Sequence, residues 1–217
     1  MVAGTATNPY QFIEGRYRLT RRCLEALAES YTPVTLVTKG TLVVRDMGVL
    51  LDLSKGAGCV VGFSISTVDR ELWRRLESGT LPPEKRLEAM ERLSARGVTA
   101  GVLIAPVVPG ITDAPSNLGK VARAASEHGA RFLGTNVLYL KEGTKEHFLG
   151  FLQKAYPDLV AVYQRLYPWS YAPKGLQGRL KLRVQRLKDI YGLKGLGNRE
   201  QSSTAPRVRR GQIPLAI

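Results

Sequence analysis

Five short stretches gather hydroxyls, amides, prolines and lysines just past apolar runs. They are Thr5, Thr7 and Asn8; Thr38 and Lys39; Ser64, Ser66 and Thr67; Pro106 to Asp113; and Tyr139 with Lys141. The set is rich in hydrogen-bonding groups and poor in the usual catalytic acids and bases. Such a lining suits a polar cofactor, with Lys39 available to a carboxylate or phosphate. By position alone, Lys39 fits a solvated turn lysine equally well. His128 precedes a helix-ending glycine and reads as a partner for the helix dipole, and His147 lies in an amphipathic helix. No Ser-His-Asp order, HExxH, phosphate-loop or zinc spacing is present. GLKGLG near Leu193 follows a helix, not a strand, so it is no dinucleotide loop.

These residues face one way only if the apolar runs before them are parallel strands. The clearest run is VTAGVLIAPVVPGITD, Val98 to Asp113. It is apolar with little alternation, as in a strand buried on both faces. It is expected to break at Pro106, turn through Pro109 and Gly110, and use Asp113 to cap the next helix. Chemistry in α/β folds collects just past such strand ends. Further strands are read at Val2–Thr7, Val34–Val37, Cys59–Ile65 and Arg131–Leu140. Between them the spacing gives helices at Arg16–Ser30, Val43–Leu53, from Pro82-Pro83 to Gly97, and near Ala114–Glu127. About five βα units in a parallel α/β sheet result.

After the last strand the pattern is helical only, at Lys145–Ala155, Asp158–Leu166 and Lys174–Tyr191. The chain is therefore divided into an α/β part at 1–142, a helical extension at 143–193 and a basic tail at 194–217, expected to be disordered. The formal charge is +14, and eleven lysines and arginines stand against two acids from Pro168 onward. That balance favours a polyanionic partner, nucleic acid above all, with Arg179, Arg183, Arg186 and Lys188 on one helix as the candidate contacts. Tyr163, Tyr167, Trp169 and Tyr171 crowd together just before that helix. They either dock it onto the α/β domain or stack bases. Cys23 and Cys59 are the only cysteines, which argues against a disulfide scaffold and for a cytoplasmic protein. No apolar run is long enough to span a bilayer.

Taken in order, GTATNPYQ, EGRYRLTRRCLEAL, VTLVTKG, GFSIST, LESGTLPPEKRLEAMERL, GVLIAPVVPGITD and NVLYLKEGTKEHFLGFL resemble the radical S-adenosylmethionine (SAM) proteins. The similarity is to their spore photoproduct lyase-related, DNA repair photolyase-like branch. It runs from about Val2 to Leu193, and YAPKGLQGRLKLRV looks like that branch's C-terminal helix. The resemblance implies a partial TIM-type (β/α)6 barrel, with the strands here matching the family's second to sixth. It also implies S-adenosylmethionine and a [4Fe-4S] cluster as cofactors, and lyase-like radical chemistry. Carried over by motif, Thr7 offers a polar contact, with Asn8 where an Asp is more usual. Lys39 and Ser64 match cofactor-contacting residues, and Ser66 shares the same hydroxyl-rich strand end. Pro106, Pro109 and Gly110 form the rim beside the adenosyl group.

The family's C-x₃-C-x₂-C loop has no counterpart here. Thiolates hold such clusters, and Cys23 and Cys59 are about 36 residues apart in two different predicted elements. The chain is therefore expected to lack its first βα unit and to be inactive alone. A missing N-terminal segment or a second chain would complete the barrel. The competing expectation is a non-enzymatic, basic nucleic-acid-binding protein built on a barrel remnant.

Overall fold

The computed structural model describes residues 1–5 and 7–194. The tail expected to be disordered lies outside the described residues, apart from Lys194. Five strands form one parallel sheet in sequential order: β1 (Val2–Ala3), β2 (Val34–Thr38), β3 (Cys59–Ser64), β4 (Thr99–Val107) and β5 (Leu133–Val137). All four pairings are parallel, with register Thr35 on Val2, Val61 on Leu36, Ala100 on Val61 and Gly134 on Leu103. Helical crossovers between parallel neighbours wind the sheet one way, as in a barrel wall. Among the described residues β1 and β5 do not pair, so the wall is open.

Helices α1 (Glu14–Tyr17), α2 (Leu19–Glu29), α3 (Met47–Gly56), α4 (Arg70–Glu77), α5 (Pro83–Ala95) and α6 (Pro115–Glu127) lie in the connections. The apolar stripes of α2, α3, α5 and α6 share one core with the strands, containing Leu24, Leu36, Leu50, Val61, Met90 and Val121. After β5 come α7 (Thr144–Ala155), α8 (Val160–Leu166) and α9 (Lys174–Tyr191). Tyr163 and Tyr167 belong to a second cluster with Val108, Leu140 and Leu152. Helix α9 places Leu180 and Val184 in the main core and packs on α6 and β5. Beyond it the chain returns to the sheet, where Lys194 bridges Phe132 in parallel.

Several boundaries differ from the sequence expectation for local reasons. The strand expected over Val2–Thr7 is only Val2–Ala3, because Gly4 takes φ +91° and turns the chain. A side chain at Gly4 would put its Cβ 2.0 Å from the Val37 carbonyl oxygen, so only glycine fits. Arg18, at φ 51°, breaks the single helix expected over Arg16–Ser30 into α1 and α2. The helix expected from Val43 opens as a 3-10 turn over Leu42–Asp46.

Strand β4 does not break at Pro106 but continues to Val107, with a register irregularity between Ile104 and Val107. Asp113 does not cap α6, whose N-cap is Ala114; its carboxylate instead accepts the Gly110 N–H at 2.7 Å. Helix α4 has no counterpart among the helices expected from the sequence. It is short and largely solvated, and Asp69 caps it by accepting the Glu71 and Leu72 N–H groups.

Candidate functional site

All five strands end on the same side of the wall, so the residues after them form one rim. At the β2 end the Thr38 hydroxyl donates to Asn8 Oδ1 at 2.9 Å and accepts the Gly40 N–H at 2.9 Å. That ties the loop after β1 to the loop after β2. At the β3 end the Ser64 hydroxyl donates to the Ala105 carbonyl at 2.6 Å, stitching β3 to β4 just before Pro106. The Thr67 hydroxyl donates to Asn117 Oδ1 at 2.7 Å, while the Asn117 amide donates to the carbonyls of Ser66 and Thr112. Asn117, from α6, thus joins the β3 and β4 ends.

Glu77, the last residue of α4, stands among these groups. Its Oε1 lies 3.0 Å from the Lys39 ammonium and accepts the Ser66 hydroxyl at 2.9 Å. Its Oε2 lies 2.9 Å from Arg86 Nη1. That nitrogen directs its aligned hydrogen bond to the Ser64 carbonyl at 2.7 Å, so the buried Oε2 has no aligned donor. The side chains of Arg86 and Glu77 are 1% and 9% exposed, whereas Lys39 keeps 30%. Burial pushes the Glu77 carboxyl up, but the Lys39 and Arg86 cations outweigh it and hold the group below its ordinary range. Arg86 Nε donates to the Leu81 carbonyl at 2.9 Å and Nη2 to the Thr80 hydroxyl. The guanidinium is fixed on every side, and Lys39 is the cation left at the mouth.

The structure therefore brings Lys39, Ser64 and Ser66 together from two adjacent strand ends. Thr7 is exposed on the neighbouring loop after β1. Pro106 lies within β4, beside the Ser64–Ala105 bond. Pro109 and Gly110 sit farther along the rim, against the C-terminal helices. The Pro109 carbonyl accepts the Tyr163 hydroxyl at 2.7 Å, and Gly110, at φ +78°, lies next to Leu159. Burial raises the Tyr163 and Tyr167 phenols, which stay protonated as donors. Trp169 and Tyr171 are exposed, and the Tyr171 ring lies against Tyr139 with centroids 4.7 Å apart. Of the aromatic cluster, then, Tyr163 and Tyr167 dock helices while Trp169 and Tyr171 face outward.

Arg179, Arg183 and Arg186 are exposed on α9, and Lys188 is half-buried. This basic face lies on the outside of α9, away from the buried Leu180 and Val184. The His128 ring meets the Ala124 carbonyl at 2.9 Å, at the end of α6, as the dipole argument expects.

Sequence reasoning missed Glu77, Arg86 and Asn117. The Asp69 N-cap was the available signal for α4, since Asp followed by a charged amphipathic octet is a helix start. Arg86 gave none, because a lysine- and arginine-rich helix hides which cation turns inward.

A [4Fe-4S] cluster needs a set of thiolates, and the cysteines here do not supply it. Cys23 is exposed on α2; Cys59 is buried at the start of β3, the opposite end of that strand from Ser64. Burial pushes the Cys59 thiol up to about 12, away from the thiolate a metal requires. Among the described residues no three His, Cys, Asp or Glu side chains gather to hold a metal ion. S-adenosylmethionine fits better. The rim offers a partly exposed ammonium for its carboxylate and a buried carboxylate oxygen without an aligned donor.

The structure is thus an open parallel barrel wall with polar side chains gathered past its strand ends, the side on which barrels of this kind carry their sites. The family model of the Radical SAM superfamily matches residues 1–118, and the chain belongs to that superfamily. An uncharacterized protein of Mycobacterium tuberculosis is 36% identical over 213 residues, which cover 98% of this chain and 62% of that protein. One from Methanocaldococcus jannaschii is 24% identical over 154 residues, 71% of this chain and 55% of that protein. The chain thus spans about three fifths of the length of the mycobacterial relative. Among solved structures, a spore photoproduct lyase mutant with bound AdoMet and dinucleoside spore photoproduct matches with TM-score 0.64 and 16% identity. The match covers 88% of this chain and 57% of the lyase. A second lyase mutant gives TM-score 0.62 with the same coverage. At that identity the likeness is one of fold. No helix among the described residues is long and apolar enough to cross a membrane.

Proposed function

We propose that this chain forms the S-adenosylmethionine-binding wall of a radical SAM enzyme whose cluster ligands come from outside these 217 residues. One observation carries the reading. Lys39 and Ser66, from neighbouring strand ends, converge on one buried carboxylate, with Ser64 bonded across to β4 beside them. Lys39 would meet the methionyl carboxylate by a charge-assisted hydrogen bond. Ser64 and Ser66 would hold the strand ends at which the adenosyl group lies, with Thr7 reaching in from the loop after β1. Pro106, Pro109 and Gly110 would shape the wall past β4. S-adenosylmethionine, when bound, supplies a sulfonium whose cleavage yields the adenosyl radical in this superfamily. The residues here bind and orient it.

The solved lyase with bound AdoMet supports the cofactor, and the shared fold supports the rim as its place. The lyase's dinucleoside photoproduct is not carried over, because a likeness of fold at 16% identity says nothing of substrate. Titration of S-adenosylmethionine into the chain tests the reading. Lys39→Ala is expected to weaken binding by about tenfold to a hundredfold, the worth of one charged hydrogen bond. Unchanged affinity in a folded Lys39→Ala variant would overturn it.

The outward guanidinium row of α9 supports a second reading, nucleic-acid binding by a barrel-wall protein without cofactor chemistry. Arg179, Arg183 and Arg186 would contact phosphates, with Lys188 at the flank. Three phosphate contacts on duplex DNA give a slope of log affinity against log salt of about −3. Binding indifferent to salt would reject it.

A further inference from the structure

We infer that the loop after β1 carries an apolar tip, ringed by arginines, that docks on the surface of a bilayer containing anionic lipid. Nothing in this depends on what the rim binds. Phe12 is 104% exposed, so its ring stands clear of the protein, and Ile13, Tyr17 and Leu19 are each more than half exposed. Gln11, Phe12, Ile13, Gly15 and Arg16 line one shallow hollow in the surface, so Phe12 and Ile13 lie side by side. A gathered group of large apolar side chains left in water marks an interaction site.

The tip is held in place from both sides. Before it, the Pro9 carbonyl accepts the Thr20 hydroxyl at 2.6 Å and the Tyr10 hydroxyl donates to Asp46 Oδ2 at 3.0 Å. After it, the buried Glu14 carboxylate accepts the Thr20 and Arg21 N–H groups at 3.0 and 3.4 Å. Arg45 ties the two anchors together. Its Nη2 donates to Glu14 Oε1 at 3.1 Å, its Nη1 to the Glu14 carbonyl at 3.0 Å, and its Nε to Asp46 Oδ1 at 2.9 Å. Phe12 and Ile13 therefore project from a fixed base, and little ordering is left to be done on binding.

Charge selects the partner. From Gln11 to Cys23 the exposed charged side chains are Arg16, Arg18 and Arg22, and the one acid there, Glu14, is buried and paired with Arg45. A second copy would bring these arginines against one another, which disfavours self-association. An anionic surface matches them. Phe12 stands out as a projection, and a fluid bilayer closes round a projection without a matching shape. Phe12 and Ile13 enter the acyl boundary, Tyr17 lies at headgroup level, and the guanidiniums meet lipid phosphates. Arg16 already lies over the Tyr17 ring, 5.5 Å from its centroid, so cation and interfacial ring are presented together.

The test sediments the full chain with phosphatidylcholine vesicles containing about one third phosphatidylglycerol. A chain of formal charge +14 can adhere to such vesicles by charge alone, so insertion at the tip is the decisive readout. Phe12→Trp is expected to be quenched by brominated acyl chains well beyond Trp73 and Trp169 in the unmodified chain. Phe12→Ser combined with Ile13→Ser removes exposed side chains only, and is expected to weaken vesicle affinity by at least about tenfold. Arg179→Gln, Arg183→Gln and Arg186→Gln together are expected to leave the quenching of Phe12→Trp unchanged, because α9 packs on β5, at the opposite edge of the sheet from β1. Affinity of the double variant within about twofold of the unmodified chain overturns the inference, as does an unquenched Phe12→Trp. Absence of vesicle binding overturns it too, and self-association lost in the double variant then assigns the tip to a second copy. None of these outcomes touches the S-adenosylmethionine reading, which cofactor titration tests separately.

Discussion

Two buried glutamates set how the chain responds to acid. Glu77 is held below the ordinary carboxyl value of 4.5 because Lys39 and Arg86 outweigh the effect of burial. At Glu14, burial raises the carboxyl, but the Thr20 and Arg21 N–H groups and the Arg45 guanidinium outweigh it and lower it. In both cases the folded value lies below the unfolded one, so the unfolded chain binds more protons in between. Their stabilisation is fully present above the unfolded value and is lost as pH falls through the folded value. Urea midpoints are therefore expected to fall steeply once the pH drops below 4.5, and less steeply in Glu14→Gln. A midpoint flat from neutral pH into that range would contradict the assignment. Arg86 gives a sharper test of the same network. Arg86→Met leaves Glu77 buried beside Lys39 alone and is expected to cost about 3–5 kcal/mol in urea unfolding.

Among the elements, α4 shows best what the sequence made legible and what it hid. The buried strands announced themselves: Cys59–Ser64 and Thr99–Val107 are apolar runs within a residue or two of where they were read. The long helices α5 and α9 were equally clear, one from its proline start and the other from its Leu180–Val184 stripe. Helix α4 was not. It is only eight residues long, with Leu72, Trp73 and Leu76 half-buried on one stripe and none fully buried, and its importance lies in one terminal carboxylate. Lys39, Ser64 and Ser66 were legible as strand-end residues, but the charge that organises them arrives from an eight-residue helix, shorter than the window in which a helical period stands out. Similarly, Pro106 read as a strand end and is not one, because β4 pairs with β5 on both sides of it at Ile104 and Val107. Asp69→Ala is expected to destabilise α4 by about 1 kcal/mol. It should also weaken S-adenosylmethionine binding through Glu77. Circular dichroism melting and ligand titration check the two effects separately.

For the whole molecule, the proposed function places cofactor binding at the C-terminal rim of the open five-strand wall. The basic face of α9 is a separate surface, on the outside of a helix that closes over α6 and β5. The two surfaces make different demands, one on Lys39 and the hydroxyls around it, the other on guanidinium groups and salt. Amide chemical shifts of the isotope-labelled full chain, followed as S-adenosylmethionine is added, separate them most directly. The rim account predicts saturable shifts concentrated at Thr38–Gly40, Ser64–Thr67 and Val107–Gly110, with α9 unmoved. Shifts confined to α9, or none at millimolar cofactor, would contradict it.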